Sequence, residues 1–598
     1  MKSQNFKVWT GLLFAGLFWL GTTSASATEL SRSPNVVVIL TDDQGWGDLS
    51  LHGNLDIKTP NVDAIAQSGA QFRNFYVSPV CSPTRAEFLT GRYHPRTGVR
   101  NVTSGGERLN LDETTIANYF RQSGYQTGAF GKWHNGSQYP YHPKGRGFDE
   151  YYGFTSGHWG DYFSPPLEHN GEIVQGQGFI ADDITNHAIS FMKENHEKPF
   201  LCYVAYNTPH SPMQVPDTYF DKFRDRELQS RYHGTEKQDM EFTRAALAMC
   251  ENLDFNIGRI IKTLDSHDLS ENTIIVYFHD NGPNGWRFNG GMKGRKGSTD
   301  EGGVRSPLFV KWPSRIQPGK TVDCISSTID ILPTLIELTG IQSKYKNPLD
   351  GISFASVLTQ NSEEPKGRII FSHWAGRVSV RTQSHRLDDR GRLFDMITDP
   401  GQTKNIREMQ PKLAKQLESE VQNWRKDVLA GIQGKDSRPF PVGHEAFPLT
   451  HLPARDALFS GNVKRSAPAP NCSFLTEWNS EDDRIYWPVA IATSGEYEML
   501  FHHTISSQNT GVTIELYFDD QLIKSFPLTE AFESKLRGME NDRVSRGSES
   551  YVKDFQPLSV KGVKLPAANG QISLRAKSVR GGSVADLRGI SLRLQPSK

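Results

Sequence analysis

The stretch Asn35-Val36-Val37-Val38-Ile39-Leu40-Thr41, followed at once by Asp42-Asp43-Gln44-Gly45, decides the fold class. A short apolar run that stops abruptly in polar residues is the signature of a parallel strand buried on both faces. Runs of the same kind recur at Tyr125–Phe130, Pro199–Tyr206, Thr273–His279 and Pro307–Lys311. Helical patterns lie between them at Asp112–Ser123, Ile180–Asn195 and Met240–Ser266. This alternation predicts one large α/β domain whose mixed, mainly parallel sheet is sandwiched by helices.

Beyond residue 360 the pattern changes. Short strands at Ile369–Ser372, Val378–Thr382 and Leu393–Asp395, then a helix near Pro411–Leu429, predict a small antiparallel sheet with a covering helix over 361–435. Residues 436–455, rich in Pro and poor in apolar runs, read as a linker. Alternating strands at Tyr497–His503, Val512–Phe518, Ile572–Ala576 and Ile590–Leu594 predict a β-sandwich over 456–598.

The 598 residues carry 67 Lys+Arg against 67 Asp+Glu. A formal charge of zero argues against a nucleic-acid partner, whose basic footprint would show. Hydrophobic residues at 36% and aromatics at 11% supply large cores and exclude wholesale disorder. Lys2 and Lys7 precede the uncharged run Val8 to Leu20, and Ala25-Ser26-Ala27 offers small residues for cleavage. This is the pattern of a secretory signal at 1–27, too short for a membrane span, and it predicts a periplasmic or secreted protein without stable membrane insertion. Its removal would take two lysines from the 67, leaving 65 positive residues against 67 negative and a charge of −2. Five cysteines are too few for a disulfide scaffold, and their number is odd.

Open α/β sheets bind ligands beyond the carboxyl ends of their strands. Here the four candidate ends read Asp42-Asp43, Gly131-Lys132-Trp133-His134, Asn207-Thr208-Pro209-His210 and His279-Asp280-Asn281-Gly282. One Asp-Asp after a strand is more often a turn or a helix cap, but four polar ends together point to chemistry. Asp42, Asp43, Asp280 and Asn281 offer only hard oxygen donors, which select Ca²⁺, or Mg²⁺ second, over zinc. In Pro79-Val80-Cys81-Ser82-Pro83-Thr84-Arg85, Pro83 suits a first helical turn. Cys81 then lies near a helix N-terminus, with Arg85 four residues on, a geometry that favours an anion beside residue 81. A buried structural cysteine is the plain alternative.

The segment Cys81-Ser82-Pro83-Thr84-Arg85, with Leu89-Thr90-Gly91, resembles the first signature of the sulfatase family, Cys-x-Pro-x-Arg followed by Leu-Thr-Gly. Gly124-Tyr125-Gln126-Thr127-Gly128-Ala129-Phe130-Gly131-Lys132-Trp133-His134 resembles the second, with Phe130 bulkier than usual. Lys296-Gly297-Ser298-Thr299-Asp300-Glu301-Gly302-Gly303-Val304-Arg305 is a third match, and Leu393-Phe394-Asp395-Met396 with Asp399-Pro400 resembles the end of the catalytic unit. The resemblance covers roughly 33–435 and says little of 456–598. It implies an alkaline-phosphatase-like catalytic domain of the formylglycine-dependent, arylsulfatase A-like type, in an exported bacterial carbohydrate sulfatase. By that similarity Cys81 is the precursor of a formylglycine made by a maturing enzyme before or during export. One hydroxyl of its hydrate attacks sulfur, and the second expels sulfate and restores the aldehyde. The resemblance assigns Asp42, Asp43, Asp280 and Asn281, with residue 81, to the metal. It assigns Arg85 to the hydrate, Lys132 and Lys296 to sulfate oxygens, His134 to the hydrate's proton and His210 to the leaving oxygen.

Other residues stay open. Lys293 and Arg295 beside Lys296 could be solvated charge, and His52 and His158 surface histidines. Trp133, Trp159 and Trp286 could stack on a sugar or fill the core. Trp478, Tyr486 and Trp487 could serve glycan binding or mere packing. Pairing among Cys202, Cys250, Cys324 and Cys472 is undecided, as is the oligomeric state. Two rival functions stand beside sulfated-carbohydrate hydrolysis: a phosphate or phosphonate monoester hydrolase on the same fold, and a carbohydrate-binding protein with an inactive sulfatase domain.

Overall fold

Ten strands build the central sheet. In chain order they are β1 (Asn35–Thr41), β2 (Ala70–Phe72), β3 (Gln126–Lys132), β4 (Glu150–Phe154), β5 (Pro166–His169), β6 (Glu172–Gln175), β7 (Phe200–Ala205), β8 (Thr273–His279), β9 (Leu308–Lys311) and β10 (Lys320–Val322). The computed structural model describes residues 33–598 apart from 343, 433, 435, 597 and 598, together with 1, 4, 5 and 7. The expected signal segment, 1–27, lies outside the described residues but for those four positions. Across the sheet the order is β10-β2-β9-β8-β1-β7-β3-β4-β5-β6.

β8, β1, β7, β3 and β4 run parallel, while β9 and β5 pair antiparallel with β8 and β4. The register aligns Thr41 with His279 and Gly131 with Ala205. The four polar loops therefore leave the same edge. The apolar run of β1 has a two-sided cause. Val37 and Ile39 pack toward Ile184, Phe191, Leu253 and Ile257, on the helices Ile180–Glu194 and Met240–Ser266. Val36, Val38 and Leu40 pack toward Phe88, Phe120, Leu332 and Leu335 on the opposite layer. Both faces are covered, so no polar alternation is tolerated in the strand.

The small subdomain has four antiparallel strands, Ile370–Trp374, Arg377–Arg381, His385–Leu387 and Leu393–Asp395. Helix Pro411–Val428 covers them with Leu417, Val421 and Trp424.

The stretch read as a linker, 436–455, is corrected by the structure. Phe440–Val442 pairs with Arg484–Ile491, and Leu449–Pro453 pairs with Asp586–Leu594. Both belong to the C-terminal sandwich, which has two six-stranded sheets. Pro441 sits in an edge strand, where a missing N–H breaks no ladder, so the prolines there mark edges rather than a tether. Strands Arg484–Ile491 and Val512–Phe518 alternate buried and half-buried residues, as a sheet with one core face must. Trp478 and Trp487 are fully buried in that core and Tyr486 is half-buried, so the two tryptophans are packing residues. Pro34–Lys598 form one compact unit. All five cysteines are unpaired, and no described helix is long and apolar enough to cross a membrane.

Candidate active site

β1 ends in Asp42 and Asp43, and β8 in Asp280 and Asn281, all fully buried. Backbone bonds tie these ends together: Asp280 N–H donates to the Thr41 carbonyl at 3.0 Å and Asp42 N–H to the Thr208 carbonyl at 3.2 Å. Helix Cys81–Thr90 starts at residue 81, as Pro83 implies, and every residue in it is buried. Thr84 Oγ1 donates to the Asp280 carbonyl at 2.6 Å, which seats the helix against β8. Asp43 and His134 hold φ of 63° and 66°, a left-handed backbone that non-glycine residues seldom adopt and that clusters at functional sites.

Cations and carboxylates interlock around this point. Lys132 Nζ lies 2.5 Å from Asp42 Oδ2, and Lys296 Nζ lies 2.7 Å from Asp43 Oδ1. Arg85 donates to Asp280 Oδ2 at 2.8 Å and to the Lys132 carbonyl at 2.8 Å. The structure thus turns Arg85 onto a carboxylate and a backbone carbonyl. Ligand atoms of Asp42, Cys81 and Asp280 lie within 4.8 Å of one another, as do those of Asp42, Asp43 and His210.

The donor set fits a hard cation. Asp42 Oδ1 and Asn281 Oδ1 are buried acceptors without a hydrogen-bond partner. Each such atom costs about 1–3 kcal/mol if left unsatisfied, and a divalent ion would serve both. Burial, then the neighbouring Asp42 charge, pushes the Asp280 carboxyl up to about 7. Burial acts the same way on Asp43, but Lys296 and then His210 outweigh it and hold that carboxyl well below the usual range. Oxygen-only carboxylate and amide ligands are those of Ca²⁺ or Mg²⁺.

Burial and charge act in opposite directions on the Cys81 thiol. Burial pushes it up, and the attraction of Lys132 and Lys296 does not overcome that. A thiol raised in this way is a weaker nucleophile than a thiolate.

In both histidines the neighbouring carbonyl assigns one ring hydrogen. His134 Nε2 faces the Val102 carbonyl at 2.7 Å, and His210 Nδ1 faces the Ser211 carbonyl at 2.7 Å. A carbonyl only accepts, so these nitrogens carry the hydrogens. That leaves His134 Nδ1, buried and unpartnered, and His210 Nε2, 3.7 Å from Asp43 Oδ2, as the working atoms. Burial, then Lys132, lowers His134 well below its ordinary value; burial, then Lys296, brings His210 to about 4.

The structure also sorts the open residues. Lys293 pairs with Asp300 at 3.4 Å and Arg295 covers the Trp286 ring, so among these three basic residues it is Lys296 that reaches Asp43. His52 stacks on Trp46, 3.8 Å between ring centres, and is structural. Trp133 is core, Trp159 is half-buried against Phe154, and His158 is not a surface histidine but 4% exposed beside His210.

Three groups escaped the sequence reading. Arg287 braces Asp48 at 2.6 Å and the Asp43 carbonyl at 3.0 Å. Glu301, inside the third matched motif, accepts from Tyr76 and Arg386, each at 2.8 Å, and ties the Lys296 loop to the small subdomain. Asn471 and Glu549, from the sandwich, reach His158 and Ser211. Glu301 lay in plain view within its motif; the last two have no local signal.

Comparison with known proteins places the chain in a family. The sulfatase family model matches residues 34–341, and the model described as N-sulphoglucosamine sulphohydrolase, C-terminal, matches 296–427. Arylsulfatase G of Rattus norvegicus is 31% identical over 436 residues, covering 63% of this chain and 79% of its own. N-acetylgalactosamine-6-sulfatase of Mus musculus is 29% identical over 375 residues, covering 57% and 68%. The crystal structure of Ps i-CgsB in complex with k-i-k-neocarrahexaose superposes with a TM-score of 0.62 and 29% identity, covering 68% of this chain and 96% of that one. With the sulfatase model matched over more than half of its length, the chain belongs to the sulfatase family and is a sulfuric ester hydrolase.

Proposed function

We propose that the protein hydrolyses a sulfate monoester on a sulfated carbohydrate, using residue 81 as a formylglycine. The observation that carries this is the convergence of Asp42, Asp43, Asp280, Asn281 and Cys81 with Lys132, Lys296 and His210 on one buried point. Asp42, Asp43, Asp280, Asn281 and residue 81 would hold Ca²⁺, which would supply Lewis-acid polarisation of a sulfate oxygen. The aldehyde hydrate of residue 81 would supply the attacking hydroxyl.

The chain's own groups do the rest. Lys132 and Lys296 reach into the pocket from β3 and the 290s loop, and there offer fixed positive charge to sulfate oxygens as charge builds. Their present partners are Asp42 and Asp43, so both ammonium groups stay oriented before substrate arrives. Arg85 locks Asp280 and the end of β3 into place. His210 Nε2 faces the site on the side of Asp43, and once protonated there, as an imidazolium beside that carboxylate, it suits delivery of the proton to the leaving oxygen; His134 Nδ1 suits the proton exchanged at residue 81. Overall, ester and water give alcohol and sulfate.

The N-acetylgalactosamine-6-sulfatase relative and the neighbour in complex with k-i-k-neocarrahexaose support the carbohydrate assignment, and the N-terminal pattern supports export to the periplasm or medium. The test measures sulfate release from a panel of sulfated saccharides, by protein whose residue 81 has been identified by mass spectrometry. Active protein should carry the aldehyde, and active protein with an intact thiol refutes the mechanism. Cys81→Ser should fold yet lose turnover at least about 10³-fold; near wild-type rates would overturn the reading. Preferred phosphonate turnover would replace sulfate by phosphonate as the substrate.

A further inference from the structure

The C-terminal sandwich does not hang apart from the candidate active site. Its segment 537–552 lies along the His210 loop: Gln214 donates to the Gly538 carbonyl at 2.9 Å and to Asp542 at 2.8 Å, and Arg543 N–H donates to the Met213 carbonyl at 2.9 Å. At the end of that segment Glu549 accepts from Ser211 Oγ at 2.6 Å. Its carboxylate and ring nitrogens of His158 and His210 lie within 4.8 Å of one another.

A second sandwich loop arrives from the other side. Asn471 accepts from Thr103 Oγ1 at 3.1 Å, and its amide nitrogen is 3.3 Å from His158 Nδ1. The neighbouring Cys472 thiol contacts the His158 carbonyl at 3.3 Å. The approach is close: a Cβ on Gly157 would meet Asn471 Nδ2 at 2.5 Å and His134 Nε2 at 2.7 Å. His158 Nε2 is buried and lacks a partner, although the residue is only 4% exposed. A buried ring nitrogen in that state is able to hydrogen-bond to a ligand atom. Glu549, by contrast, is half-buried and able to meet an incoming molecule.

We propose that Glu549 and Asn471 of the sandwich, together with His158, form the subsite that grips the sugar ring carrying the scissile ester. Glu549 selects a ring with a hydroxyl donor, and rejects one with a second anionic group, beside that ester. This rests on the sulfatase reading of the Cys81 pocket and adds its specificity. A carboxylate accepts hydrogen bonds from hydroxyls and repels a further sulfate or carboxylate, so one side chain both attracts and excludes. The tryptophans that could have formed a separate glycan platform, Trp478 and Trp487, are spent in the sandwich core, which leaves the loops as the part of the sandwich that meets substrate.

The test uses the full-length mature enzyme and Glu549→Gln, with three probes: mono-sulfated methyl glycosides of each ring position, their disulfated counterparts, and 4-nitrophenyl sulfate, which has no ring hydroxyls. For the glycoside that wild type prefers, Glu549→Gln should lower kcat/KM about 10-fold or more, mainly through KM, the loss of a charge-assisted hydrogen bond. The aryl sulfate should lose several-fold less, and turnover of the disulfated glycoside relative to the mono-sulfated one should rise. Asn471→Leu should repeat the glycoside loss, with a thermal midpoint recorded for both variants. Equal losses on all probes, or no loss on any, overturn the inference. So does a wild type that cleaves the aryl sulfate and no glycoside. A wild type that cleaves no sulfate ester but does cleave phosphonate overturns the sulfatase reading beneath it.

Discussion

The strand-end pocket and the sandwich wall meet at His210, yet they were written into the chain in opposite ways. The pocket draws on residues adjacent in short motifs: Asp42-Asp43, Cys81 to Arg85, Lys132 to His134, Asp280-Asn281 and Lys296. Its geometry follows from register, because parallel strands with Thr41 opposite His279 must release their loops side by side. The wall draws on Asn471 and Glu549, more than 250 residues from His210 in the chain and held there by docking alone. Chemistry that depends on sheet edges leaves a local trace, whereas recognition that depends on docking leaves none.

The largest effect should come from the pocket itself. Lys132→Ala is expected to lower kcat about 10²–10³-fold, the usual loss when one preorganised charge is removed. Unlike Glu549→Gln, it should do so to a similar degree for aryl and saccharide substrates. A loss confined to saccharides would erase the proposed division between pocket and wall.

Next in size is the pin on the pocket's opposite side. Burial would raise the Glu301 carboxyl, but Arg381, Arg386 and Arg305 outweigh it and bring it to about 2 from an ordinary 4.5. A depressed carboxyl stabilises the fold above its unfolded value, and that contribution fades as pH falls from about 4.5 to about 2. The shift is worth on the order of 3 kcal/mol. Glu301→Gln should therefore unfold more easily by about that amount at pH 7 in urea titrations, with the gap closing across that acid window. A constant gap at every pH would show that Glu301 acts by shape and not by charge.

The smallest effect is expected from the ion. Calcium at about 100 times its Kd should add about 2.7 kcal/mol, seen as a higher Tm by calorimetry that a chelator reverses. One transition moving as a whole fits the single compact unit of Pro34–Lys598. Two transitions, only one of them calcium-sensitive, would make the sandwich a separately melting neighbour. No calcium response would remove the metal assignment of Asp42, Asp43, Asp280 and Asn281.

What could be read in advance follows from the same contrast. Strand β8 and helix Met240–Ser266 fall at the residues their periodicity marks. The helix at Cys81 follows from Pro83. The segment 436–455 misled because Pro serves both linkers and edge strands, and only the partner strands Arg484–Ile491 and Asp586–Leu594 distinguish them. The rise of the Cys81 thiol could not be read in advance, because helix position is local while burial is not. His158 looked like a surface residue because the loop that covers it comes from Asn471 and Cys472.

The pairing of Leu449–Pro453 with Asp586–Leu594 carries a consequence for biogenesis. Chains are made from the N-terminus, and the strand Leu449–Pro453 has a partner that follows every other strand of the sandwich. Every member of the proposed catalytic set, from Asp42 to Lys296, has emerged long before that partner exists. The growing enzyme therefore acquires its reactive groups first and its discrimination last, and a chain cut short within its final strand would carry the former without the latter.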